Sequence, residues 1–316
     1  MSQQMTPAVA RVVDPVLTNI AQGYQNNELI GSALFPTVSI GQRAGKIVTF
    51  GKEAFMAYDT ARAPGSPVKR IQIGYGSGSF AIIDHGLAAI VPRELMEEAS
   101  AGTPSINLAT ASVNTVMQAL RLRLEVEQAT LATTAGNYNA SNKTTLSGTS
   151  QWSDLSSGVS DPIKDIEVAK EAIRAATGKR PNVVLMGAAV WSKLKQHPKI
   201  MDRIKYTGRD VPDTSLLASL FGVNRVLIGD SLQATDAGVL SDVWGKYVVV
   251  AYTELGGIPD MGRPTFGYTY QLGGYPFVET PRYDPDFRTW VYDVADACKS
   301  VITAQDAGYL ISAAVA

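Results

Sequence analysis

The chain has 316 residues, enough for two domains of ordinary size. Its 28 Lys and Arg against 29 Asp and Glu leave a net charge of −1, which excludes a strongly basic nucleic-acid binder and a strongly acidic tail. Apolar residues make up 45% and charged residues 18%, so a sizeable core is available under a surface with less charge than the roughly 25% usual for soluble domains.

A charge deficit of this kind fits a chain that hides much of its outside against copies of itself. Cys298 is the one cysteine, so no internal disulfide can form. His85 and His197 are the only histidines, so the usual Cys/His zinc ligand set cannot be assembled. No metal or cofactor is expected. No apolar run approaches the roughly 18 residues of a membrane span. The N-terminus MSQQMTPAVARVVDP lacks the basic-then-apolar layout of a signal peptide.

In chain order, residues 1–45 read as an extended arm punctuated by Asp14-Pro15 and Phe35-Pro36, with no long amphipathic period. Residues 46–78 read as a two-stranded excursion. KIVTF (46–50) forms one limb, and Ile71, Ile73 and Tyr75 alternate along the other. Its cations Arg43, Lys46, Lys52, Arg62, Lys69 and Arg70 face only Glu53 and Asp59. A lone two-stranded ribbon is marginal in water, so it must lean on something else. FAIIDHGLAAIV (80–91) continues as strand. PRELMEEA (92–99) is a short helix carrying Glu94, Glu97 and Glu98, with Pro92 suited to its first turn.

Thr103-Pro104 predicts the start of a helix over 104–134, about 45 Å long at 1.5 Å per residue. Ile106, Ala109, Val113, Met117, Leu120, Leu124 and Leu131 mark one face, interrupted by Glu127. Residues 137–160 are Ser/Thr/Asn/Gly-rich and read as a loop or weak hairpin at a domain boundary. Asp161-Pro162 opens a helix that Gly178 ends. PNVVLMG (181–187) is a buried-type strand, followed by a helix with Val190, Trp191 and Leu194 and with Pro198 near its end. Strand signals recur at 225–229, 246–252, 266–272 and through the tail 288–315. Helices and strands mix without a βαβα rhythm, so the class is α+β.

Catalytic signals are absent from this pattern. The glycines of 74–78 precede a strand instead of opening a helix, so they read as a hinge and not as a nucleotide loop. There is no G-x-S-x-G nucleophile turn. His85 and Asp84 are neighbours on a strand and point to opposite faces. Both histidines read as structural and the chain as a non-enzyme. The three glutamates of 92–99 offer a docking face for the basic excursion of a neighbouring copy. Arg121 and Arg123 are candidates to face nucleic acid as phosphate neighbours without sequence specificity.

The order of arm, basic excursion, long helix and second mixed domain resembles the major capsid proteins of tailed bacteriophages. Two segments carry the resemblance: TGKRPNVVLMGAAVWSKLKQHPKIMDRIKYT (177–207) and the closing strands KSVITAQDAGYLISAAV (299–315). It implies the tailed-phage major capsid fold, with an N-terminal arm at 1–45 and an extended loop at 46–78 that overlaps a neighbour. It also implies a peripheral domain from 79–160 and 281–316, built on a spine helix at 104–134, and an axial domain at 161–280. The implied function is a head-shell protein that self-assembles as pentamers and hexamers around double-stranded DNA. Implied partners are a separate scaffolding protein, a portal and decoration proteins, with no membrane. The location is the virion, after assembly in the host bacterial cytoplasm. The competing readings are an encapsulin-like shell around protein cargo and an α+β enzyme.

Overall fold

The computed structural model describes residues 13–24, 28–46, 61, 78–101, 107–156, 158–205, 212–235, 238–253 and 265–316. Two sheets organise them. The first is built on the 14-residue strand Thr289–Ile302. One edge of this strand pairs antiparallel with Ile83–Pro92, from Thr289↔Pro92 to Cys298↔Ile83. Its other edge is shared by Arg282–Asp284, Phe277–Val278 and Gly267–Leu272. Thr37–Ile40 of the arm adds parallel to Gly267–Leu272. The second sheet runs in the order Lys143–Thr145, Gly308–Ser312, Val248–Ala251, Val183–Gly187, Arg225–Gly229.

Strands Val183–Gly187 and Val248–Ala251 are buried at every position, as central strands covered on both faces must be. Their alternation sorts the core. Val184, Met186, Val248 and Val250 face Ile166, Ile173, Leu217 and Phe221 of the covering helices. Val183, Leu185, Val249 and Ala251 face Phe35, Ala129, Ala132, Trp244 and Phe266. The second sheet is thereby sandwiched between its own helices and a layer made of the arm and the end of the long helix.

That helix is Leu108–Thr133. Its first half packs Val113, Val116, Met117 and Leu120 onto Val91, Val278, Tyr292 and Val294 around the first sheet. It is shorter than the 104–134 read from the sequence. Asn107 is the cap: its side chain accepts from the Thr110 amide at 3.2 Å. A short polar acceptor three residues before a free amide closes the helix there. Thr103 and Pro104 lie outside the described residues.

Other local readings change for similar reasons. The arm holds a helix, Pro15–Gly23, because the Asp14 side chain accepts from the amides of Val16 and Leu17 at 2.9 and 3.0 Å and Pro15 pre-sets the first turn. Pro92 ends a strand, opposite Thr289, and the helix Arg93–Ala101 begins after it. Pro198 does not close a helix but opens one, Pro198–Ile204, separate from Ala188–Leu194. His197 before it is extended, as a residue preceding proline tends to be. The helix Pro162–Thr177 follows its sequence signals, with the Asp161 side chain accepting from the Lys164 amide and Gly178 left-handed at φ 67°.

Sheet membership crosses the boundaries drawn from sequence. The closing strand Gly308–Ser312 and the edge strand Lys143–Thr145 belong to the second sheet. Gly267–Leu272 and Phe277–Val278 belong to the first. Trp152, in the segment read as a loop, is fully buried and donates its indole N–H to Asp165 at 2.8 Å. The excursion rises from a short antiparallel foot, Ala44–Lys46 against Ser79–Ala81. Phe80 of this foot stacks on Tyr270 at 4.2 Å. The expected limbs at 46–50 and 71–75 fall, apart from Lys46, outside the described residues.

Candidate functional site

The surfaces singled out in the sequence are distributed over three places. At the foot of the excursion, Arg43 meets Asp84 in an ion pair whose side chains are 55% and 59% exposed. A pair this wet contributes little to stability. The Arg43 carbonyl also accepts from the Ile82 amide at 2.8 Å. Lys46 is exposed beside it. Lys52, Arg62, Lys69 and Arg70 lie outside the described residues.

The acidic helix Arg93–Ala101 stands at the far end of the first sheet, tied down by Arg93, whose amide donates to the Arg288 carbonyl at 3.0 Å. Glu94, Glu97 and Glu98 are all exposed. Glu97 is held within the chain by the Arg93 guanidinium at 2.7 Å. Glu94 and Glu98, one turn apart on the same face, form no ion pair among the described residues. Leu95 between them is 51% exposed.

Arg121 and Arg123 do not share a surface. Arg123 points at the first sheet, where its guanidinium donates to Glu127 at 3.0 Å and to the Cys298 sulfur at 3.5 Å. Glu127 also accepts from Lys299 at 2.8 Å. Asp296 accepts from Gln271 at 2.8 Å and lies across from His85 in the strand register. Arg123 is thus engaged between helix and sheet. Glu127, read as an interruption of an apolar stripe, joins both cations. Burial and the Asp296 carboxylate push the Cys298 thiol up to about 12. Arg121 turns the other way, half-buried beside the arm.

The least legible feature is Glu125, only 2% exposed. Its carboxylate accepts from the amides of Ile30 and Gly31 at 3.1 and 2.9 Å and from the Trp244 indole at 2.7 Å. One side chain thus joins the arm, the long helix and the loop leading into the second sheet. Burial raises its pKa, opposed by these three donors. Next to it, Gln128 donates to Thr269, whose hydroxyl also reaches Phe35 and Ser300. The one available signal was a carboxylate placed beside Leu124 on the buried stripe.

Both histidines sit in structural settings. His197 is buried with its Nε2 at 3.2 Å from the Ser160 hydroxyl and its Nδ1 without a partner. Burial lowers its pKa, helped by Lys199 and opposed by Asp161. His85 is lowered by burial and by Arg123 and Lys299, against Glu127 and Asp296. Both folded values lie below the unfolded value of about 6.5, so the stability they contribute is present above that pH and lost as pH falls through the folded values. The melting temperature of the unassembled subunit is expected to fall between pH 7 and pH 5, each histidine adding at most about 1.4 kcal/mol per pH unit. His85→Gln with His197→Gln should flatten that slope; an unchanged slope would refute the assignment.

Among the described residues, no group of three or more His, Cys, Asp or Glu is arranged to hold a metal ion. Among them, too, no helix is long and apolar enough to cross a membrane.

Comparison with known proteins identifies the scaffold. Residues 117–214 match the family described as phage major capsid protein E. The chain is 36% identical over 306 residues to the major capsid protein of Burkholderia phage BcepMu, covering 96% of each. The crystal structure of a phage-related protein from Bordetella bronchiseptica RB50 superposes with a TM-score of 0.83 at 42% identity, covering 96% of this chain and 98% of that one. An encapsulin complex from Synechococcus elongatus PCC 7942 shares the fold at 11% identity and a TM-score of 0.55, covering 92% of this chain and 89% of that one. A likeness at 11% identity shows the fold alone, but identity along nearly the whole length to a capsid protein is narrower, and the chain belongs to the tailed-phage major capsid protein family.

Proposed function

We propose that this chain is the head-shell subunit of a tailed phage, assembling as pentamers and hexamers into a closed icosahedral shell around double-stranded DNA. The observation that carries the reading is the 36% identity to a major capsid protein over 96% of the chain. The encapsulin alternative has a fold-level likeness behind it and nothing narrower.

In this reading the first sheet with the long helix forms the peripheral domain. The second sheet with its helices forms the axial domain, and Gly308–Ser312 belongs with the axial part because of its pairing to Val248–Ala251. Residues 1–45 remain the arm and 46–78 the extended loop, whose cations dock on the Glu94, Glu97 and Glu98 helix of a neighbour. Contacts of this kind fix register, and symmetry repeats each of them over the whole particle. A separate scaffolding protein, a portal and decoration proteins complete the assembly in the host bacterial cytoplasm, and the product is the virion.

Electron microscopy and sedimentation of the purified protein test this reading. Closed shells, or pentamers and hexamers that convert to them, are expected, with DNA inside particles taken from infected cells. A permanent monomer or dimer, or particles filled with protein cargo, would overturn it. Reversing Arg62, Lys69 and Arg70 to Glu is expected to abolish shell formation while leaving the melting temperature of the free subunit unchanged. Normal assembly of the triple variant would refute the docking of loop on helix.

A further inference from the structure

A cleft of about 540 Å³ opens where three separate parts of the chain meet. Its walls are the arm, with Tyr24 and Ser32, the long helix, with Arg121 and Gln128, and the edge strand Arg225–Gly229, with Arg225 and Leu227. Arg225 and Leu227 are two apart on a strand and so share the face turned to the cleft. The opposite face, with Val226, is buried against the helices of the second sheet.

Two guanidiniums on different elements converge on this one concavity. Neither forms an ion pair among the described residues, a state they share with Arg180, Arg203 and Arg288, but these two line the same cleft. The carboxylate best placed to answer Arg121 is Glu125, one helical turn further on and also lining the cleft. It is not available, because its oxygens already accept from Ile30, Gly31 and Trp244. The cleft therefore carries two cations that no described carboxylate answers. Its remaining lining includes Leu29, Leu124 and Leu227, which suits a polypeptide segment with side chains better than a free inorganic anion or a bare phosphodiester.

We infer that this cleft is the seat of a carboxylate-bearing segment of a second copy of the chain. The inference rests on the shell reading above and adds a contact to it. Charge complementarity favours a copy as the occupant. In an assembly of identical subunits each copy also brings acids that no described cation of its own answers. Glu94 and Glu98 show that such exposed, unpaired carboxylates exist on its surface. A segment seated here bridges the arm, the long helix and the second sheet, so assembly would lock the two sheets relative to one another.

The test places a photo-crosslinking residue, Leu227→p-benzoylphenylalanine, in shells assembled from mixed 14N- and 15N-labelled subunits. Mixed-isotope crosslinked peptides, with an Asp or Glu near the attachment point, are the expected result. Crosslinks confined to one copy, to nucleic acid or to a protein of different sequence would overturn the inference. In parallel, Arg121→Ala with Arg225→Ala should raise the subunit concentration needed for assembly about tenfold or more. The paired lysine variant should recover part of the loss, and the melting temperature of the free subunit should stay unchanged. Assembly of the alanine variant at the wild-type concentration would also overturn the inference. Failure of the shell reading shows separately, as wild-type protein without shells in the microscope. The crosslinking is then read on whatever oligomer forms, and mixed-isotope pairs there would still support the cleft contact.

Discussion

Glu125→Ala is expected to destabilise the unassembled subunit by about 3–6 kcal/mol, the largest loss for any single polar side chain described here. The reason is the number of donors that it leaves behind. The Ile30 and Gly31 amides and the Trp244 indole all point at its two oxygens. Each N–H left without an acceptor in a buried place costs about 1–3 kcal/mol. Urea unfolding followed by tryptophan fluorescence measures the loss directly, and a change below about 1 kcal/mol would show that water replaces the carboxylate without penalty. Glu125→Gln is the informative companion. It keeps an acceptor oxygen but turns an NH2 group toward one of the three donors, so its loss should be about a third as large. Glu125→Ala combined with Trp244→Phe should lose less than the sum of the two, because both remove the same hydrogen bond.

The surroundings explain why this carboxylate tolerates burial. Gly31 gives its amide to Glu125 and has no room for a side chain: a Cβ there would lie 2.2 Å from Gln128 Oε1 and 2.8 Å from Glu125 Oε2. Backbone and carboxylate approach that closely only because residue 31 is glycine. Burial raises the Glu125 pKa over the pull of its donors, so the folded state favours the protonated acid relative to the unfolded chain. Its linkage has the opposite sign to that of the histidines: this contribution declines as pH rises from the unfolded value through the folded one. The two histidines on one side and Glu125 on the other therefore work against each other as the subunit is acidified, and the histidine double variant separates them.

Local elements were legible where local chemistry decides them. The helix Pro162–Thr177 is written in Asp161, Pro162 and Gly178, and the strand Val183–Gly187 in five apolar residues before Ala188. The helix Pro15–Gly23 carried the same Asp-Pro signal, but it lies in a segment with no amphipathic period and so read as part of an extended arm. Sheet membership was not legible. Lys143–Thr145 and Gly308–Ser312 pair across more than 160 residues, and nothing in either strand names its partner. The polar junctions were hidden for a related reason. Glu125 and Glu127 are two apart on the long helix, yet one answers the arm and Trp244 while the other answers Arg123 and Lys299. A helix turns about 200° over two residues, so the two acids serve different surfaces. The periodicity registers Glu127 only as a flaw in an apolar stripe and passes over Glu125. The partners of Arg123 were hidden by the same route: a cation on a helix next to Arg121 shows nothing of the strand Thr289–Ile302 that brings Cys298 and Lys299 beneath it.

Phe35→Ala should cost about 3–5 kcal/mol, in the range of a fully buried aromatic truncated in a packed core. Phe35 is 0% exposed, with its ring 5.5 Å from that of Phe266 and tilted 52° to it. Gly267 is shaped to it, since a Cβ there would lie 2.5 Å from the Phe35 ring. The Phe35 carbonyl accepts from Thr269, which in turn meets Gln128 and Ser300. Two residues later the arm enters the first sheet as Thr37–Ile40, an added strand whose only pairing among the described residues is to Gly267–Leu272. Removing the ring thus loosens the joint that feeds this strand into the sheet. Hydrogen exchange distinguishes such a local release from a general weakening. The amides of Thr37–Ile40 should lose protection by a larger factor than those of Val183–Gly187, which lie between two partners in the second sheet. Phe35→Leu should restore most of the stability and the protection together. Equal acceleration in both strands would mean that the arm is no separate unit but part of the same cooperative core. An arm that does release on its own is one that can be exchanged or re-laid during assembly without unfolding the subunit that carries it.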